Sequence, residues 1–487
     1  MVYTLDRLIK IATDLTSQKD IDILLETILS EAMQITACDG GTVYTREGDF
    51  LYFRNMITLS KNIALSSKDG GIKLPPVPLG RKHVCACSAL DHKIINIADI
   101  YLSEEYDFSG SQKYDSLNGY RTCSMLVLPM EDEHGDLIGV LQLINAQDEE
   151  GVVVPFDDDC VTLISALASL AAVSLNTHRL SQEVYDLMHS FVRVLVGAID
   201  TRTAYNANHT KSMVNYAGKF IRWLNEEDRG WKIPEKERDP LLMAIWLHDI
   251  GKLVIPRRIM DKPTRLENER ATAVFHRLEV AVLMERIRSL ERPSEREAAE
   301  GKIKSLINAR ALILKANSVP FLPDEMIKEI EEVADLEILT SEGEVKPLLN
   351  EMDLAALTVQ KGTLTGEERK QMEMHVVHTA NMLAEMKFQG AYEKVPLWAA
   401  SHHELLDGSG YPDHKNSGEL SREIRLITIL DIYDALTAED RPYKPPMTPE
   451  KAFGILGNMR DEGKIDGEIL DMFIESQAWR KDQALSV

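Results

Sequence analysis

Two short runs in this chain hold side chains that packing alone would not select. One is His248-Asp249-Ile250-Gly251-Lys252; the other opens on His402-His403-Glu404 and closes on Gly410-Tyr411-Pro412. Neighbouring residues on a helix point about 100° apart, so an adjacent pair such as His248 and Asp249, or His402 and His403, could offer one side chain to each of two metal ions lying beside the same segment. Asp431 falls inside an apolar helical run, LITILDIYDALTAED, where burying an unpaired carboxylate is costly and metal coordination would offset the cost. His209 and His375 complete a set of nitrogen and oxygen donors. Such a set, without thiolate, suits iron, manganese, nickel or zinc. The isolated histidines, His83, His92, His134, His178, His189, His276, His378 and His414, read as surface or satisfied core residues.

These residues need elements to hold them. The chain has 487 residues, which implies two or three domains, and 44% hydrophobic with 27% charged residues is globular composition. A net charge of −23 disfavours a polyanion-binding surface spread over the molecule, so any phosphate site is local and no nucleic-acid polymer is expected as a partner. Helical spacing from about Leu5 to Ala37 gives way to short alternating runs, GGTVYTREGDFLYFRNMI, HKIINI, SMLVLPM and LIGVLQLIN, the last two paired as a hairpin: an α+β, sensor-sized domain. From Leu163 to Arg202 one long helix is expected. Its apolar residues fall at 4-3 spacing, Leu163, Leu167, Leu170, then Leu180, Val184, Leu187, Phe191, Val194 and Ala198, with a slip near Thr177, which argues for pairing with the same helix of a second subunit. Everything after Tyr205 reads as helices, and Leu266 to Leu357, rich in Glu, Arg and Lys, as a helical insertion.

The N-terminus lacks the pattern of a signal peptide, and the apolar stretch Leu163 to Leu175 is interrupted by Ser165, Ser169 and Ser174, short of the ~20 residues of a membrane span. Five cysteines, Cys38, Cys85, Cys87, Cys123 and Cys160, are an odd number and read as reduced thiols. A cytoplasmic protein with no membrane partner is expected.

The runs HDIGK, HHELLDGSGYP and DIYDALTAEDRPYK together resemble the HD-GYP phosphodiesterases, HD-domain metallohydrolases that cleave bacterial cyclic dinucleotides. The resemblance covers roughly Ser190 to the C-terminal region. It implies one metal held by His209, His248, Asp249 and Asp431, and another by Asp249, His375, His402 and His403, with Asp249 bridging. It places Lys252 at the scissile phosphate, Arg441 and Lys444 on substrate phosphate or guanine, and Gly410 and Tyr411 in the family's name-giving loop. Some members hold a third metal through a Glu where this chain has Tyr205, so two metals are implied. The family's RDPYT appears as RTAYN (202–206), Arg257 replaces the Asp after IP, Leu405 the Arg after HHE, and Thr379 a usual Gly. The continuous KPG-x-LT segment is split into KPTRL at Lys262 and KGTLTGEE at Lys361, which brackets the insertion as a lid, docking or dimer element.

The N-terminal half resembles a GAF domain through KYDSLNGYRTCSMLVLPM and LIGVLQLIN, closest to those of cyclic-nucleotide phosphodiesterases, although Ala146 and Cys160 depart from their pattern. An unidentified small-molecule ligand is implied there. His83, Cys85 and Cys87 form an H-x-C-x-C that could bind metal or respond to redox, against simple alternation on a strand or loop. The resulting map is a GAF domain at 1–162, a signalling and dimerisation helix at 163–203 and an HD-GYP domain at 190–487 with an insertion at about 265–358. The expected function is hydrolysis of cyclic di-GMP to pGpG and onward to GMP, with two iron or manganese ions. The alternatives are another cyclic dinucleotide, such as 3′,3′-cyclic GMP-AMP, or a catalytically silent dinucleotide-binding module, against which the intact set of ligand-type residues argues.

Overall fold

The computed structural model describes residues 10, 13, 20–67, 73–202, 208–340, 344–438 and 446–480. The chain divides into two compact units, Met1–Met188 and His189–Val487. In the first, helix α1 (Ile21–Thr36) starts where the Asp20 carboxylate accepts the N–H groups of Asp22 and Ile23. Its apolar stripe, Leu24, Leu25, Ile28, Leu29, Ala32 and Met33, is buried on an antiparallel sheet. The strand order is β3 (Ile63–Ser66), β2 (Phe50–Thr58), β1 (Cys38–Glu47), β7 (Leu137–Gln147), β6 (Met125–Glu131) and β5 (Ile95–Ile97); β4 (Val77–Pro78) pairs with β2 and β8 (Val153–Val154) with β7. Strand β6 is apolar from Met125 to Met130 because both of its faces are covered. Leu126, Leu128 and Met130 face the α1 side, whereas Met125 and Val127 face helix α2 (Val84–Asp91). The expected β6–β7 hairpin forms, closed by the Asp132 carboxylate, which accepts the N–H groups of His134 and Asp136. Helix α3 (Ser109–Asn118) lies between β5 and β6 in the chain.

Two expectations about this unit are corrected. Cys85 and Cys87 are not on a strand or loop but buried within α2, and His83 is the residue just before that helix, its side chain making no capping hydrogen bond. Among the described residues no cluster of potential metal ligands includes them, and burial pushes the Cys85 thiol up to about 12, which leaves it protonated at neutral pH. The long helix, α4 (Asp158–Arg202), begins earlier than its apolar spacing suggests, and its first part packs on its own domain rather than on a second copy. Ile164, Leu167, Ala168, Ala171, Ala172 and Leu175 complete the core beneath α1, with Leu163 packed against it. By length and composition alone α4 could cross a membrane, contrary to the expectation of too short an apolar run; its residues Ile164, Leu167, Ala168, Ala171, Ala172 and Leu175 are committed to the core of the sheet. Further along, Leu180, Val184, Leu187, Phe191 and Val194 are exposed, while Val192, Val196 and Ile199 are buried.

The second unit is helical: α5 (His209–Glu226), α6 (Glu235–Leu247), α7 (Arg257–Met260), α8 (Asn268–Glu291), α9 (Arg296–Ser318), α10 (Asp324–Ala334), α11 (Glu351–Leu357), α12 (Gly366–Glu373), α13 (His375–Ala384), α14 (Val395–Ala400), α15 (Arg422–Thr437), α16 (Pro449–Asp461) and α17 (Gly467–Ser476). An all-helical unit is expected from the sequence, and the structure departs from it in the insertion, where β9 (Glu337–Leu339) and β10 (Val345–Pro347) pair. That insertion has its own core, built from Leu266, Val274, Leu278, Leu306, Ile313, Ile330 and Leu357 among others. At its root Arg265 is fully buried, and its guanidinium donates to the carbonyls of Ala316 and Val359. The two halves of the split segment meet there: Lys262 Nζ lies 2.6 Å from a Glu368 carboxylate oxygen, and Thr363 donates to the Lys262 carbonyl.

Candidate metal centre

Helix ends bring the ligand-type residues together. His209 is the first residue of α5 and His375 the first of α13. His248 and Asp249 follow the last residue of α6, His402 and His403 lie just past α14, and Asp431 sits on the buried face of α15. His248, Asp249, His375, His402 and Asp431 are all buried. They form two groups. The ligand atoms of His209, His248 and Asp249 lie within 4.8 Å of one another, and so do those of His375, His402 and His403.

Two carboxylates join the groups. Asp249 Oδ2 is 3.2 Å from His248 Nε2 and 3.8 Å from His209 Nε2, while its Oδ1 is 3.4 Å from His375 Nε2 and 3.9 Å from His402 Nε2. Asp431 repeats the arrangement, with Oδ1 3.2 Å from His209 Nε2 and Oδ2 3.6 Å from His403 Nδ1. Asp431, assigned by resemblance to one metal, thus faces both groups.

The far side of each imidazole sets which nitrogen points inward. His248, His375 and His402 donate from Nδ1 to the carbonyls of Ile245, Met372 and Ala399, each at 2.7 Å, so Nε2 carries the free lone pair. His209 donates from Nδ1 to the Asp434 carboxylate at 2.7 Å. Burial pushes His375 down to about 4 and holds His402 and His403 below the usual histidine range, so these rings are neutral at neutral pH. Burial alone would raise Asp249, but His248, Lys252 and His375 hold it well below the carboxylate range; Asp431 is held low mainly by His209 against the same opposing effect. Burial works against protonation of His209, yet Asp431 and Asp434 outweigh it and push it up to about 10.

Five imidazoles, His209, His248, His375, His402 and His403, around the two buried carboxylates Asp249 and Asp431 fit divalent cations. Among the described residues the buried atoms Asp249 Oδ1, His375 Nε2 and His402 Nε2 have no hydrogen-bond partner, and they face one another, which is costly unless a cation lies between them. Lys252 Nζ lies 2.5 Å from Asp249 Oδ2, at the edge of the first group. The Tyr411 ring leans over His403, with centroids 4.8 Å apart and 32° between planes. Gly410 lets that loop close: a Cβ there would come 2.5 Å from the His403 carbonyl oxygen. Arg441, Lys444 and Tyr205 lie outside the described residues.

Three contributors escaped the sequence reading. Asp434, which orients His209, lies one turn beyond Asp431 in DIYDAL, and that spacing on one helix face was a usable signal. Glu404, buried directly after the histidine pair, accepts the N–H groups of Asp413 and Lys415 and so fastens the Tyr411 loop. Thr379, noted only as a departure from Gly, contacts the His248–Gly251 turn.

A family model for the GAF domain matches residues 20–175, and one for the HD domain matches residues 352–469. The latter span holds His375, His402, His403 and Asp431; His209, His248 and Asp249 lie before the insertion. The chain is similar to 3'3'-cGAMP-specific phosphodiesterase 3 of Vibrio cholerae, 37% identical over 101 residues, 21% of this chain and 21% of that protein. It is also similar to the cyclic di-GMP phosphodiesterase response regulator RpfG of Xanthomonas campestris, 31% identical over 125 residues, 25% of this chain and 32% of that protein. The matches therefore span no more than about a third of these relatives. Among solved structures, a GAF domain/HD domain protein from Geobacter sulfurreducens aligns at a TM-score of 0.26 and 16% identity, over 35% of this chain and 98% of that one. The two family matches place a GAF domain at residues 20–175 and, after it in the chain, an HD domain at residues 352–469.

Proposed function

We propose that the HD domain is a metal-dependent phosphodiesterase that hydrolyses a cyclic dinucleotide, cyclic di-GMP first, to pGpG and onward to GMP. The observation that carries this is the pair of histidine groups joined by Asp249 and Asp431, each with one oxygen toward each group. His209, His248, Asp249 and Asp431 would hold one ion, and Asp249, His375, His402 and His403, with the second oxygen of Asp431, the other. Iron and manganese suit this donor set. Two divalent ions supply Lewis-acid activation of water and of a phosphoryl oxygen at neutral pH.

The rest falls to the chain. In the hydrolysis, water oxygen bonds to phosphorus and releases a proton to solvent, the P–O3′ bond breaks and the 3′ oxygen leaves with a proton. Lys252 Nζ, beside Asp249, offers that proton and counters the negative charge that develops. Tyr411 and Gly410 form a wall beside His403 against which a base can lie. Arg441 and Lys444 hold phosphate or a guanine edge through charge and, for Arg, a planar fork. A second reading, 3′,3′-cyclic GMP-AMP as substrate, is favoured by the similarity to the Vibrio cholerae protein named for that substrate.

Regulation follows from the rest of the chain. A cavity of about 440 Å³ in the GAF domain, lined by Tyr44, Phe53, Met56, Val84, Met125 and Ile144 among others, takes a small-molecule ligand. The exposed 4-3 stripe Leu180, Val184, Leu187, Phe191 and Val194 of α4 pairs with its copy in a second chain. Incubating purified protein with Mn²⁺ or Fe²⁺ and each cyclic dinucleotide, then separating the products, tests the proposal; no turnover of any of them would leave a silent binding module.

A further inference from the structure

Asp249 lies between two backbone groups that end on one side chain. The Thr379 hydroxyl, fully buried on α13, donates to the His248 carbonyl at 3.0 Å and accepts the Gly251 N–H, also at 3.0 Å. The carbonyl of His248, at the C-terminal cap of α6, otherwise lies among those that a helix leaves without an intrahelical partner. The two segments touch backbone to backbone, since a Cβ on Gly251 would come 1.9 Å from the His375 carbonyl oxygen. Thr379 is also one helical turn beyond His375, so the same helix that starts with a ligand of one group holds the turn that carries the ligands of the other.

We infer that Thr379 is the positioning residue that sets Asp249 between the two histidine groups. This rests on the dinuclear reading above and adds to it a cause for the register of the two halves. With the hydroxyl in place, the carboxylate is held from both sides, with Oδ1 3.4 Å from His375 Nε2 and Oδ2 3.2 Å from His248 Nε2. Without it, a buried carbonyl and a buried N–H lose their partners and the turn shifts to recover them. The requirement is for the hydroxyl rather than for bulk, so Val, of nearly the same volume, should fail where Ser succeeds.

The test compares full-length wild type with Thr379→Val, Thr379→Ala and Thr379→Ser, all stripped of metal, with melting curves recorded to show that each is folded. Amide exchange over residues 248–253 is measured first, and Mn²⁺ is then titrated by calorimetry and by the exchange-coupled Mn²⁺ spectrum. Thr379→Val and Thr379→Ala should exchange at least 10-fold faster at Gly251 and bind the second Mn²⁺ about 10- to 100-fold more weakly, with the coupled spectrum lost; Thr379→Ser should match wild type. If Val unfolds the protein, Ala carries the same reading. Wild-type exchange and Mn²⁺ affinity in the Val or Ala variant, or a Ser variant as impaired as Val, would overturn the assignment. A wild type that takes up one Mn²⁺ counts against the dinuclear reading, and the contrast of Val and Ala with Ser still decides the role of Thr379.

Discussion

Replacing Asp249 by Asn changes little in shape and removes one negative charge from the middle of the cluster. Asp249 Oδ2 lies 2.5 Å from Lys252 Nζ and 3.2 Å from His248 Nε2, and the residue is 4% exposed. Removing one member of a buried pair leaves the other uncompensated, which costs about 3–5 kcal/mol. The metal-bound protein loses more. At an effective dielectric of about 20, opposed unit charges 4 Å apart contribute about 4 kcal/mol, close to a factor of 10³ in affinity, and a divalent ion doubles that. Because Asp249 has one oxygen toward each group, both of the proposed ions would feel the loss. Protein prepared anaerobically and desalted should carry about two ions per chain by elemental analysis, and Asp249→Asn almost none. Retention of one tightly held ion together with full turnover would refute the shared role of Asp249.

Four further outcomes are expected. Asp434→Asn, which replaces the anion behind His209 with a neutral amide, should weaken metal retention 10- to 100-fold in a chelator competition and leave the metal-free melting midpoint within a few degrees. His375 has its folded value depressed to about 4 from 6.5, so its contribution is complete above pH 6.5 and is lost as pH falls; metal-free protein should lose about 3 kcal/mol between pH 6.5 and 4 by denaturant titration, less in His375→Gln. His209 is raised, so its contribution acts in the opposite direction and is lost as pH climbs from 6.5 toward 10. Leu187→Glu, at a position 71% exposed in the single chain, should convert a dimer into a monomer in sedimentation at micromolar concentration; a wild type that is already monomeric sinks the pairing of α4.

How much could be read in advance depended on how local the signal was. Residues that packing would not choose, such as His402 and His403 side by side, stand out in a linear sequence, and so does an alternating run like LIGVLQLIN. Helix α4 shows where such reading stops. Its 4-3 spacing runs on both sides of the slip near Thr177, but one stretch is buried against α1 by its own domain and the next is left exposed, a difference that depends on the sheet beside it. Cys85 and Cys87 alternate in sequence yet lie on a helix, because the buried set Val84, Cys85, Ala86, Cys87 and Ala89 covers one face of the sheet almost without interruption. The short β9–β10 hairpin carries three residues per strand, too few for period-two patterning to register. Thr379 and Glu404 act through backbone groups distant in sequence or buried beneath a loop, and residue type alone does not show such bonds.

The central claim is chemical. Full-length protein reconstituted anaerobically with Mn²⁺ or Fe²⁺ should convert cyclic di-GMP to pGpG and then GMP, with product separation showing the linear dinucleotide first, and Asp249→Asn should show neither product. Unchanged cyclic di-GMP and unchanged 3′,3′-cyclic GMP-AMP after incubation with metal-loaded wild type carrying about two ions per chain would contradict it.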